Sequence, residues 1–319
     1  LHEAFNQAIF LDKDNANIYL RYGDALQTNL FCDEAIDQYK KALSLDSNNS
    51  EILRQLGNAY IKQRSYKQAI EYFKSALSIT PTSAKILNDM GIAYKEANDL
   101  EMSSNCFKDA IKFNPKFEIA YNNLGMNLYE QHKLNESLDY FNRAIDINPN
   151  YHTPYNNIGS CLLIMKKYKE AIHYFKKSLI IKPNSSEILT NISSCYLYLG
   201  ELDKSLQAIT KAITINRNSS NAINNLGMIY DRKNQKDLAL KKYKEAISIN
   251  PNNSAAKFNL SIIDLLNGNL EKGWSNYMYR FEAEQVLPSN YNYPFWNGED
   301  IENKNLLVIA EQGIGDEVM

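Results

Sequence analysis

Apolar side chains recur along this chain three and four residues apart, in short runs separated by polar breaks. Between Ser50 and Ser83, Leu53, Leu56 and Tyr60 mark one run and Ala69, Phe73 and Ala76 the next, before Pro81. That spacing places each run on one face of a helix. It predicts a helical hairpin closed by Pro81, whose ring cannot continue the second helix. A small residue lies inside the first helix of every unit: Gly23, Gly57, Gly91, Gly125, Gly159, Ser193, Gly227 and Ser261 follow one another at intervals of 34 residues. A small side chain lets the second helix approach the backbone of the first, with Tyr60 and Phe73 filling the wedge beside it. A period of this length is the mark of a solenoid built from helical hairpins.

The unit repeats through Met90, Gly91, Tyr94, Phe107, Ala110 and Pro115, and again through Ile158, Gly159, Ala171, Phe175 and Pro183. Two copies are worn. The one around Ser193 has Ile209 in place of the aromatic ring and Arg217 in place of Pro; the one around Ser261 has Asp264 in place of Tyr and Gly273 in place of Ala. Lost consensus near the end of an array marks a capping or junction unit. At the other end, Phe5 and Ala8 fit a second helix whose partner is missing, and residue 1 is Leu rather than Met, so the chain reads as cut from a longer protein.

Gly227, Tyr230, Ala239, Tyr243, Ala246 and Pro251 form a clean copy of the unit, and in these residues the chain resembles the tetratricopeptide repeat family. The resemblance implies an all-α fold, a right-handed superhelical solenoid of tetratricopeptide hairpins. Residues 1–15 are expected as the second helix of a truncated repeat, 16–253 as seven repeats and 254–287 as a degenerate C-terminal repeat or capping helices.

In that family the first helix of each hairpin lines the concave side. By this resemblance the sixth position of each unit faces the groove, where the chain reads Arg21, Gln55, Asp89, Asn123, Asn157, Asn191, Asn225 and Asn259. Asn122, Asn156 and Asn224 reinforce the run from the fifth position. A primary amide offers a donor and an acceptor together and matches a peptide unit. A ladder of amides therefore suits an extended polypeptide held through its backbone, and the repeat domain of protein O-linked N-acetylglucosamine transferases is similar in carrying Asn here for that purpose. The other reading is that these amides bond to neighbouring repeats and fix the superhelix. A carboxylate clamp like that of chaperone-binding repeats is not expected: Arg54 and Asn58 match its opening pair, but Asp89, Ile119 and Asn123 stand where its later groups belong. The central groove, with Met126, Ser160, Leu163, Ile164, Thr190 and Tyr198, is mostly uncharged.

Composition narrows the partners. With 35 basic and 37 acidic side chains the formal charge is −2, which is no electrostatic footprint for nucleic acid or an anionic membrane. No apolar run approaches the roughly 18 residues that span a bilayer, and no secretory leader is evident. Cys32, Cys106, Cys161 and Cys195 are scattered, and the four His form no cluster with metal-ligand spacing. A cytoplasmic chain with reduced thiols, no metal and a protein or peptide partner is expected. Its oligomeric state is left open.

After Leu270 the period stops. Trp274, Tyr277 and Phe281 lie on an aromatic-rich helix expected to pack on the last repeat, and residues 288–304, broken by Pro288, Pro294 and Gly298, read as a linker. Its Tyr293, Phe295 and Trp296 are expected to dock on neighbouring domains. Residues 305–319 read as a buried strand, Leu306 to Ala310, feeding a Gly-rich turn at Gly313 and Gly315, where a ligand can approach the backbone. The ordered set Trp296, Gly298, Glu299, Lys304, the strand and Glu311 to Asp316 resembles a junction in bacterial proteins that join tetratricopeptide repeats to a glycosyltransferase-like domain similar to the heptosyltransferases. That resemblance implies the first strand and turn of a truncated Rossmann-like domain, a nucleotide-sugar as donor in the longer protein, and Asp316 as the base on an acceptor hydroxyl. Asp316 also suits a plain helix N-cap. Only the start of such a domain is present, so this segment alone is expected to catalyse nothing and to bind no cofactor. The expected function is a protein-interaction solenoid at the N-terminal side of a glycosyltransferase. The alternative is a tetratricopeptide scaffold without catalysis.

Overall fold

The computed structural model describes residues 2–280, and among them the chain is seventeen α-helices without a strand. A single helix, α1 (His2–Leu11), precedes eight hairpins. The first four are α2 (Ala16–Thr28) with α3 (Cys32–Leu45), α4 (Ser50–Lys62) with α5 (Tyr66–Ile79), α6 (Ala84–Glu96) with α7 (Leu100–Phe113), and α8 (Glu118–Glu130) with α9 (Leu134–Ile147). The next two are α10 (His152–Ile164) with α11 (Tyr168–Ile181) and α12 (Ser186–Tyr198) with α13 (Leu202–Ile215). The last two are α14 (Ser220–Arg232) with α15 (Lys236–Ile249) and α16 (Ser254–Leu266) with α17 (Leu270–Tyr277). The worn eighth unit thus forms a hairpin, with a second helix of 8 residues where its predecessor has 14. The expected linker, the strand from Leu306, the loop at Gly313 and Gly315, Asp316, and the rings of Phe281, Tyr293, Phe295 and Trp296 lie outside the described residues.

Within each hairpin the small residue meets the ring of the second helix. A Cβ placed on Gly57 would lie 2.5 Å from the Phe73 ring, and one on Gly91, Gly125 or Gly159 would lie 2.6 Å from Phe107, Phe141 or Phe175. These four rings are fully buried, and each such burial contributes about 1.5–3 kcal/mol. The worn copies obey the same constraint by exchange. Ser193 is tolerated because Ile209 replaces the ring; its hydroxyl bonds the Ser205 carbonyl at 3.0 Å while Ser205 bonds back to the Ser193 carbonyl at 2.8 Å. Around Ser261 the small residue has moved to the second helix, where a Cβ on Gly273 would meet Leu265 at 2.6 Å.

The turn inside each hairpin has a period that hydrophobic patterning does not reveal. Leu30, Arg64, Asn98, His132, Lys166, Gly200, Asn234 and Gly268 all have positive φ, between 58° and 78°. The next N–H reaches back five residues, as Ser65 to the Tyr60 carbonyl and Asp99 to that of Tyr94, both at 2.9 Å. This is the Schellman closure of a helix end. Glycine is favoured there, yet it occupies only two of the eight places.

First helices of consecutive hairpins touch one another along the whole array, while consecutive second helices make no comparable contact. The array therefore curves with the first helices inside, as the resemblance implied. Apolar clusters run along it from Tyr22 to Ile263. At the start, the Phe5 ring of α1 stacks on Tyr22 at 4.7 Å. Cys106, Cys161 and Cys195 are buried free thiols, and burial pushes Cys106 and Cys195 up to about 12.

Gly91→Ala is expected to destabilise the array by about 1–3 kcal/mol through overpacking against Phe107, read as a lowered urea midpoint. Gly91→Ser with Phe107→Ile, which copies the Ser193–Ile209 pair, should cost less than the sum of its single changes. Leu30→Gly, at an 81% exposed left-handed position, should raise stability by about 1 kcal/mol.

Candidate peptide-binding face

The fifth and sixth positions of each first helix sit on the inner side of the curve, one residue apart, so that a sixth-position amide lies beside the fifth-position side chain of the preceding repeat. The Nδ2 of Asn123 donates to Oδ1 of Asn88 at 2.9 Å, Asn157 to Asn122 at 2.9 Å, and Asn259 to Asn224 at 3.0 Å. Three rungs of one ladder thus join α6 to α8, α8 to α10 and α14 to α16. Asn88, Asn122 and Asn224 are each only 4% exposed. Where Thr190 replaces the fifth-position Asn, its hydroxyl donates to its own helix at Ser186, and Asn225 turns instead to Ser194 Oγ at 2.7 Å. Bonding between repeats, one of the two roles open from the sequence, is therefore what Asn123, Asn157, Asn225 and Asn259 perform. Asn88 and Ser194 complete this ladder. Asn88 was legible as the fifth-position amide before Asp89; Ser194 carried no signal.

One rung is open. Asn191 is in register to reach Asn156, 35 residues earlier, as its counterparts are, but the bond is not made. Among the described residues the Asn191 amide has no partner, and Oδ1 of Asn156 is buried without a donor. Toward the C-terminal ends of these first helices the inner face is apolar and hydroxylic. Ile164 is 44% exposed and Tyr198 52%, the latter stacked on Tyr168 at 5.2 Å. Leu163 and Met126 are half-buried, and the hydroxyls of Ser160 and Ser194 donate to their own helices at Asn156 and Thr190.

The earlier repeats differ in charge. Arg54 holds Asp89 at 2.6 Å and Glu51 at 2.6 Å, and Asn58 donates to the same Asp89 oxygen at 3.2 Å. The hydrogen bond from Arg54 to Glu51 and then that to Asp89 raise the guanidinium pKa. Burial pushes the Glu51 carboxyl up, but the Arg54 bond and charge outweigh it and leave it lowered. Asp89 thus occupies the cation that a ligand carboxylate would need, in accord with the broken clamp. Lys95 and Glu130 pair farther along at 2.8 Å. Among the described residues no group of His, Cys, Asp and Glu could hold a metal ion, and no helix is long and apolar enough to cross a membrane.

Models of the tetratricopeptide repeat match residues 84–117, 117–183, 186–219 and 220–253, and a TPR repeat model matches 32–64 and 57–98. No curated protein matches the chain. Among solved structures, the APC/C hetero-tetramer Cut9-Hcn1 aligns with a TM-score of 0.67 at 15% identity, over 81% of this chain and 51% of that one. The chain spans about half the length of that relative. A tetratricopeptide repeat protein from Parabacteroides merdae aligns at 0.61 and 18% identity, over 78% and 98% of the two chains. Pseudomonas aeruginosa pilF aligns at 0.58 and 20%, over 66% and 96%. At these identities the likeness is one of fold.

Asn157→Ala should lower stability by about 1–3 kcal/mol, because it removes a bond and strands the buried Oδ1 of Asn122. Asn191→Ala, which breaks no bond, should leave the urea midpoint within about 0.5 kcal/mol of the parent.

Proposed function

This chain belongs to the tetratricopeptide repeat family, and we propose that it is a protein-interaction scaffold whose inner face holds an extended polypeptide across the open rung at Asn156 and Asn191. The observation that carries this reading is the contrast along one ladder: three rungs are closed within the protein, while at the matching positions Asn156 and Asn191 one leaves a buried acceptor and an unbonded amide. A peptide unit supplies the missing donor and acceptor together. Exposed Ile164 and Tyr198, about two helical turns farther along α10 and α12, offer apolar contact to side chains farther along a bound segment. Asn122, Asn123, Asn157, Asn224, Asn225 and Asn259 hold the curve of the groove through bonds between and within repeats, and the less buried Asn123, Asn225 and Asn259 are the ones that a bound chain would meet. The uncharged surface favours a partner segment of low charge, read mainly through its backbone.

A second reading concerns the longer protein. The run Glu311 to Asp316 after the apolar stretch Leu306 to Ala310 supports a rod that presents a polypeptide acceptor to a nucleotide-sugar-dependent glycosyltransferase domain, with Asp316 as the base and Gly313 and Gly315 near the ligand. Incubating the longer protein with labelled nucleotide-sugars and cell extract tests it; no transfer and no nucleotide binding would leave the scaffold reading standing alone.

For the groove, a library of fluorescent peptides of about 15 residues and low net charge, long enough when extended to cross several repeats, is titrated with the chain, and the tightest binder is measured against variants. Asn156→Ala with Asn191→Ala should weaken binding about tenfold or more, which corresponds to ~1.4 kcal/mol, with the helical circular dichroism unchanged. Equal affinity in that folded double variant sinks the proposal.

A further inference from the structure

Between α15, the end of α16 and α17 lies a cavity of about 690 Å³, open to solvent on the second-helix side of the array, away from the inner face. It follows from one departure in the repeat. Asp264 stands where other units carry an apolar or aromatic side chain, Leu26, Leu128 and Leu162 or Tyr60, Tyr94, Tyr196 and Tyr230. Those rings fill the corresponding space: Tyr60 stacks on Tyr72 at 5.3 Å, and the Lys204 ammonium lies over the Tyr196 ring at 5.6 Å. An aspartate is too short to do so, and Asp264 lines the space instead.

That carboxylate is poorly served. Asp264 is only 6% exposed. Its Oδ1 accepts one long bond from the Asn269 amide, 3.4 Å, and its buried Oδ2 has no donor. A buried carboxylate without a counter-charge is strongly unfavourable. Lys244 and Lys272 also line the cavity, but both are exposed, and neither pairs with Asp264.

We propose that this cavity is a second binding site, which takes the alkylammonium or guanidinium end of a basic side chain presented by a partner protein on the outer surface of the array. The proposal rests on the scaffold reading but not on the groove. Asp264 and Asn269 both line the cavity, and a partial turn about χ2, a broad torsion, tilts the carboxylate toward it. Leu240 and Leu270 in the lining receive the methylene stem.

The test is a titration of the full chain with n-butylammonium chloride and ethylguanidinium chloride, followed by amide proton–nitrogen spectra. Saturable shifts are expected at the Asn269 side chain and at the backbone of Gly268 and Gly273, with none from n-butanol. Asp264→Asn keeps the size of the side chain and should weaken binding about tenfold; Asp264→Tyr should fill the cavity and abolish it. Shifts that persist unweakened in Asp264→Asn overturn the proposal. So does a chain that binds neither cation, or binds one only after Lys244→Met or Lys272→Met, since its own lysine then occupies the site. Peptide binding in the groove, measured on the same samples, should not change with Asp264→Asn, so failure at one site is distinguishable from failure at the other.

Discussion

The rest of the molecule depends on the contact between a small residue of one helix and a buried ring of the next. Six glycines leave so little room that a single added carbon would lie at most 2.6 Å from a Phe or Tyr ring. The closeness sets the separation of the two helices in a hairpin, and the hairpin thickness sets the step from one repeat to the next. The two worn copies respect it by other means: a serine against isoleucine, and a glycine moved to the partner helix. Interiors packed at crystal-like density accommodate such changes only in compensating pairs.

With the step fixed, the first helices come close enough for side chains 35 residues apart to meet. The amide ladder is a consequence of that spacing. Each rung is worth about 1 kcal/mol net, small against the buried rings, but directional. It ties the orientation of one repeat to the next in a way that apolar packing alone does not. The Arg54–Asp89–Asn58 cluster does the same at the charged end of the array, where a carboxylate of the chain itself occupies the basic group.

The proposed binding sites lie in what the internal bonding leaves unused. The open rung at Asn156 and Asn191 and the donorless oxygen of Asp264 are buried polar groups in a structure that satisfies most of its others. Native proteins leave few such groups without reason. They lie in different repeats, the first on α10 and α12 and the second on α16, so the two proposed sites are separate.

The 34-residue period, the helical hairpins and the buried Phe73 and Phe107 were legible in the residues, because apolar spacing and small-residue position directly encode which faces must meet; the inward placement of the first helices was implied only by the resemblance to tetratricopeptide repeats. The left-handed turns at Leu30, Arg64, His132 and Lys166 were not, since tertiary packing imposes a conformation that those side chains do not announce. The amino-acid order alone determined that a column of amides recurs at one place in the repeat. Only the folded array decided which of them pair and which stay open, because hydrogen bonds between repeats depend on ångström distances between residues 31 to 35 apart. No local pattern in the sequence contains those distances.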